Sequence, residues 1–300
     1  MAPPTFYLAI GHEYRKRDLD ICLAVGQTHF LVSAGSLAAR RLRETPDVHV
    51  ALDCEAFPPN NPKRISLDAY WRAVLAWRRP DGTWDERLDW FSSYDTIGGL
   101  EQTLRDGARL RALIARDAPD APLTRCIGYP APVETVLEVI AASPLPGQAR
   151  PSYGVGGLAV ARYSNDADAW LTTVLAALDT LDDEVRDGIR LHLFGISKPS
   201  WVLRSDLITS CDSSGPARMA AITGWSGIVG RYSAAYGVSA EKLQLSREAR
   251  LSYWLASTRR SLGLPWQRVD EALFLDDARA PAGLQTAYDL FDLDALPWAA

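Results

Sequence analysis

Three aspartates in this chain each follow a short apolar run. Asp53 ends VHVALD, Asp95 ends WFSSYD and Asp212 ends DLITSCD. Two further runs close on glycine: Gly156 and Gly157 in PSYGVGG, and Gly195 near the end of RLHLFGI. A lone aspartate where a strand surfaces is ordinarily a helix cap or a turn residue, its side chain bonded to nearby backbone N–H groups. Three of them on one rim would repel one another unless they held ligands, protons or cations. No His-x-His or comparable ligand cluster accompanies them, so no metal is expected. Glycosidic chemistry is the better fit. One carboxylate attacks an anomeric carbon while another moves protons on the leaving group. The third can accept hydrogen bonds from the N–H groups of a purine, and the glycines let backbone approach the base edge closely. Phe57, four residues past Asp53, offers a face for stacking on a planar base, although such a residue is ordinarily part of a core.

These residues need a scaffold that brings distant strand ends together. Short apolar runs recur along the chain at 5–10, 29–34, 48–53, 90–95, 124–129, 151–157, 190–196 and 206–212. Between most of them lie segments of helical spacing. SLDAYWRAVLAWRR opens on Ser66, a suitable N-cap, and its Leu67, Tyr70, Trp71, Val74 and Leu75 repeat at helical intervals. GLEQTLRDGARLRALIARD and NDADAWLTTVLAALDTL are amphipathic in the same way. Strand alternating with helix eight times predicts an α/β fold of the (β/α)8 TIM-barrel type, with function at the C-terminal strand ends. A doubly wound open sheet gives a similar alternation, and the count of eight favours the barrel. After residue 216 the pattern turns helical. The expected division is a barrel over 1–220 and a helical C-terminal extension over 221–300, packed on the barrel.

Composition narrows the classes. With 47% hydrophobic and 23% charged residues in 300, the chain has the make-up of an ordinary globular protein. No apolar run approaches a membrane span, and the start lacks a basic segment followed by an apolar one, so a cytoplasmic address without membrane contact is expected. The four cysteines, Cys22, Cys54, Cys126 and Cys211, are too widely spaced for a structural zinc site or a disulfide framework. A net charge of −5 argues against a strongly basic nucleic-acid binder but leaves room for a local basic face. Arg247, Arg250, Arg259 and Arg260 near the C-terminus are the candidates for phosphate contacts.

Taken together, the motifs resemble the tRNA-guanine transglycosylase superfamily. LDCEAF is similar to its Asp-Ser-Gly-Gly/Ala-aromatic motif, and GVGGLA, HLFGISKP and TSCDSS follow in the order of its later motifs. FLVSAGSLAARR, YWRAVLAWRR, RLHLFG and CDSSGPAR bring the chain nearest to the DNA branch, the 7-deazaguanine DNA transglycosylases. The resemblance spans residues 5 to 220. It implies a barrel that exchanges guanine in DNA for a 7-deazaguanine base resembling preQ0, with no cofactor. By position, Asp212 would be the nucleophile on C1′ and Asp53 the general acid/base. Asp95 would read the Watson–Crick edge, Gly128, Gly156, Gly157 and Leu158 would contact the base, and Phe57 and Phe194 would sandwich it. The implied partners are DNA and the free 7-deazaguanine base, with a helper ATPase or helicase to open the duplex. Three residues depart from the pattern: Glu55 stands where glycine is usual, Pro58 where a polar residue often follows the aromatic, and Ile127 where glutamine is usual; the zinc-binding Cys/His cluster of the tRNA-type members is also absent. The alternatives are a tRNA or other RNA transglycosylase, a hydrolytic DNA base glycosylase, and a non-catalytic nucleic-acid-binding homologue.

Overall fold

A computed structural model describes residues 3–11, 16–56, 64–96, 99–141, 152–161, 164–221 and 247–267. Eight strands form one closed, all-parallel barrel in sequence order: β1 (Thr5–Ile10), β2 (His29–Ser33), β3 (His49–Asp53), β4 (Leu88–Ser92), β5 (Leu123–Gly128), β6 (Tyr153–Gly156), β7 (Leu191–Leu193) and β8 (Ile208–Ser213). The barrel closes where Tyr7 of β1 registers against Asp212 of β8. Strands buried on both faces read as near-continuous apolar runs, which is why the sequence shows runs and not alternation. The (β/α)8 expectation therefore holds, with two instructive shifts in strand ends. β4 starts earlier than the expected run, at Leu88 opposite Val50, and stops at Ser92, its last partner being Thr124 of β5. β7 is short because Gly195 turns into the left-handed region at φ +70° and carries the chain off the sheet.

The helices start where small hydroxyls can cap them. Ser36 Oγ accepts from Ala39 N at 3.1 Å to open α2 (Leu37–Glu44). Ser66 Oγ accepts from Ala69 N at 3.3 Å to open α3 (Leu67–Leu75), which buries Leu67, Tyr70, Trp71 and Val74. The longer α4 (Leu100–Asp117) and α7 (Asn165–Leu178) follow the amphipathic segments of the sequence, with α5 (Val133–Ala141) and the short α6 (Leu158–Ala161) between them. The short helices α8 (Asp183–Asp187) and α9 (Pro199–Val202) flank β7. Among the described residues no helix is long and apolar enough to cross a membrane.

Contacts divide the chain into two compact units, Met1–Glu13 with His29–Ser213, and Tyr14–Thr28 with Ser214–Ala300. The first unit carries all eight strands. In the second, α11 (Arg247–Ser261) packs on α1 (Lys16–Val25) and on α10 (Gly215–Ala221). The first helix of the chain thus groups with the C-terminal helices, so the second unit is built from two stretches of sequence.

Aromatic rings fill the barrel interior. Tyr7 of β1, Trp90 of β4 and His192 of β7 come from strands that are not neighbours, and they meet inside. Trp90 lies 5.5 Å from Tyr7 and 4.7 Å from His192, centroid to centroid. Tyr7, Leu31, Ala51 and Trp90 form one buried cluster, against which Phe194 packs. Trp90 Nε1 donates to the Tyr7 hydroxyl at 3.1 Å, so its one polar atom is satisfied in the core. Replacing Trp90 with alanine leaves a cavity and strips Tyr7 of that donor. Trp90→Ala is expected to lower stability by about 3–5 kcal/mol, measured by urea denaturation.

Candidate active site

The three aspartates stand on one rim. Asp53 is the last residue of β3, Asp212 the next-to-last of β8, and Asp95 lies in the loop beyond β4. Their charges are mutually felt. Burial, then the charge of Asp95, then that of Asp212 push the Asp53 carboxyl from an ordinary 3.8 up to about 7. The backbone N–H of Glu55, donating to Asp53 Oδ2 at 3.0 Å, opposes this rise without cancelling it. Burial also raises Asp95, against the Cys54 thiol and the Arg64 guanidinium, which favour its charged form. Cys54 Sγ donates to Asp95 Oδ1 at 2.9 Å. Arg64 lies 4.0 Å over the Tyr94 ring and donates from Nη2 to the Asp95 carbonyl oxygen.

Asp212 is held differently. Its Oδ1 accepts from Gly195 N at 2.8 Å and lies 3.0 Å from His192 Nε2. Among the described residues no partner takes Oδ2. His192 is fully buried, and its Nδ1 lies 2.9 Å from Ser210 Oγ. With Nε2 donating to Asp212, Nδ1 accepts from the serine hydroxyl, which fixes both tautomer and ring plane. Asp212 is thus buried with one oxygen held by Gly195 and His192 and the other without a hydrogen-bond partner among the described residues.

The residues expected to contact a base divide. A pocket of about 230 Å³ is lined by Asp95, Thr103, Gly128, Tyr129, Gly156 and Gly157, among others. It falls below the ~300–1,000 Å³ of sites for drug-sized ligands, and suits a single heterocycle. Gly157 has φ +80°, and a Cβ there would sit 2.9 Å from the Tyr129 carbonyl oxygen, so only glycine keeps this wall closed. Gly128 is open, with nothing within 4 Å of where a Cβ would stand. Leu158 is buried at the start of α6 and can meet a ligand only through its backbone. Ile127, where glutamine is usual in the resembling family, is buried and brings no polar group.

Phe194 is not on the pocket wall. Its ring lies 4.6 Å from His192 and 5.9 Å from Trp90, and a Cβ on Gly154 would meet it at 2.3 Å. It packs on the aromatic cluster inside the barrel. Phe57 lies outside the described residues.

The basic residues also divide. Arg259 is buried, with Nε donating to the Pro265 carbonyl at 2.8 Å and Nη1 to Gln27 Oε1 at 2.8 Å. Its guanidinium ties two stretches of the second unit together and is not presented to a phosphate, which corrects the expectation for this residue. Arg260 is exposed. Arg247 and Arg250 lie in the first turn of α11, with side chains outside the described set.

Reasoning from the sequence does not find His192 or Cys54. A signal for the first exists: a histidine between two leucines in a buried strand demands a buried partner. Cys54 gives none, since its role depends on where the loop after β4 runs. In comparison with known proteins, no family model matches the sequence and no curated protein shows significant similarity to it.

The raised Asp53 makes stability depend on pH with a definite sign. The folded chain keeps this proton up to about pH 7, whereas the unfolded chain loses it near 3.8. Stability from a neutral Asp53 is therefore fully present at low pH and declines as pH rises across that window. Asp53→Asn removes the decline. The variant is expected to gain stability relative to the parent from about pH 4 to 7 and to hold a constant difference above about pH 8, measured by urea denaturation at each pH.

Proposed function

We propose that this barrel exchanges guanine in DNA for a 7-deazaguanine base through a covalent Asp212–sugar ester. The observation that carries the reading is the contrast between two carboxylates on one rim. Asp212 is clamped at one oxygen, and Asp53 is held near neutrality within reach of its charge. Paired carboxylates whose environments push them apart are the signature of divided nucleophile and acid/base roles.

Asp212 Oδ2 attacks C1′, the bond from C1′ to guanine N9 breaks, and Asp53 gives its proton to the departing purine. The incoming base returns a proton from N9 to Asp53 while N9 attacks C1′ and the ester bond breaks. Two inversions give net retention. The target nucleotide must leave the duplex to reach such a recessed rim. Asp95 lines the pocket, where a carboxylate oxygen can accept from a purine N–H, and Gly156, next to it, and Gly157 leave backbone exposed to the base edge. His192 acts as a positioning residue by holding Asp212.

The DNA branch is favoured by the ordered motifs from FLVSAGSLAARR to CDSSGPAR. With a net charge of −5, phosphate contacts must be local, which gives a helper ATPase or helicase a role in presenting DNA. The reading puts the reaction in the cytoplasm, where DNA and free base meet.

The test is incorporation of radiolabelled guanine into duplex DNA, single-stranded DNA and bulk tRNA in parallel. Label is expected in DNA and lost in Asp212→Ala, with no abasic sites formed. Because Asp53 must enter the first step protonated, the rate should fall tenfold per unit as pH rises beyond about 7. Label in tRNA alone replaces DNA with RNA as the polymer. Abasic sites in place of label make the enzyme a hydrolase.

A further inference from the structure

At the end of the barrel opposite the carboxylate rim, β2 and β3 each begin with a histidine, and Asp89 is the second residue of β4. The register sets His29 directly beside His49. Their imidazoles stack with centroids 4.6 Å apart and planes 10° from parallel. His49 Nδ1 lies 3.1 Å from Asp89 Oδ1. One ligand atom from each of the three lies within 4.8 Å of the other two. The carboxylate is oriented from the core side: the Tyr7 hydroxyl donates to Asp89 Oδ2 at 2.8 Å, and Trp90 Nε1 holds Tyr7 in turn at 3.1 Å. Toward solvent the group is accessible, with the His49 side chain 46% exposed and that of Asp89 21%.

We propose that His29, His49 and Asp89 form a binding site for a divalent transition metal, zinc by its donor set, with water as fourth ligand. Two imidazoles and one carboxylate suit zinc, whereas magnesium and calcium prefer oxygen donors throughout. Bonds of about 2.0–2.1 Å set the ligand atoms of a tetrahedral site about 3.3 Å apart. The His49–Asp89 pair stands close to that spacing, and His29 must turn out of its stack on His49 to aim a ring nitrogen at the same point. Binding displaces the proton between His49 Nδ1 and Asp89 and replaces that hydrogen bond with two coordinate bonds. The Tyr7 hydroxyl then serves as the outer partner of a ligating carboxylate. The metal would join the starts of three adjacent strands, at the end of the barrel opposite the rim, and the site stands independently of the base-exchange reading.

The test uses the full chain stripped with a chelator and titrated with Co(II), then Zn(II). One Co(II) per chain is expected, with the visible d–d absorption of a tetrahedral site that Zn(II) abolishes. Saturating zinc should raise the thermal midpoint by on the order of 5 °C. His49→Gln and Asp89→Asn should each weaken binding by more than about tenfold, the least that removal of even an outer partner brings. Both substitutions are at accessible side chains, and circular dichroism checks that the variants are folded. A parent protein without the Co(II) spectrum overturns the proposal, as does binding of unchanged strength in both folded variants.

Discussion

Buried carboxylates that share one rim resist being ionised together. That constraint organises the rest of the first unit. Coulomb repulsion grows as the local dielectric falls, so burying the group is what makes its members unequal. Asp53 receives the load and moves to about 7. Asp95 is partly relieved by the Cys54 thiol and Arg64. Burial and the charges of Asp95 and Asp53 push the thiol of Cys54 up, so it stays a donor and serves the carboxylate beside it.

Such a cluster needs support that does not yield. Asp212 is fixed through His192, and His192 is fixed by Ser210 Oγ and by the rings of Trp90 and Phe194 around it. The aromatic filling of the barrel is therefore more than apolar burial. It sets the plane of the imidazole that holds Asp212. Gly154 has a part in this, because any side chain there would occupy the space of the Phe194 ring.

The fold is legible because parallel strands buried on both faces leave uninterrupted apolar runs, and Ser36, Ser66 and Ser164 mark helix starts between them. The positions of Asp53 and Asp212 are legible for the same reason: each ends a run. Asp95 reads as a strand end and stands in a loop, a difference set by register and not by local sequence. Arg259 shows the opposite failure. A basic cluster on a helix reads as a solvated face, and only the fold shows that Gln27, far off in sequence, waits for its guanidinium. His29 and His49 are likewise separated in sequence and joined by strand register alone.

Glu55 adopts φ +59°, a left-handed conformation that costs a residue with a Cβ roughly 1–2 kcal/mol. Its amide is the group that bonds Asp53, so the backbone there must turn this way whatever the side chain. Glycine would make the turn without strain, and a single transition in a glutamate codon yields a glycine codon. Relief therefore lies one mutational step away. The turn itself gives no reason for glutamate, and the strain it bears shifts the question from the main chain to the side chain: whatever accounts for residue 55 must be something a carboxylate does beside Asp53 that a bare backbone would not.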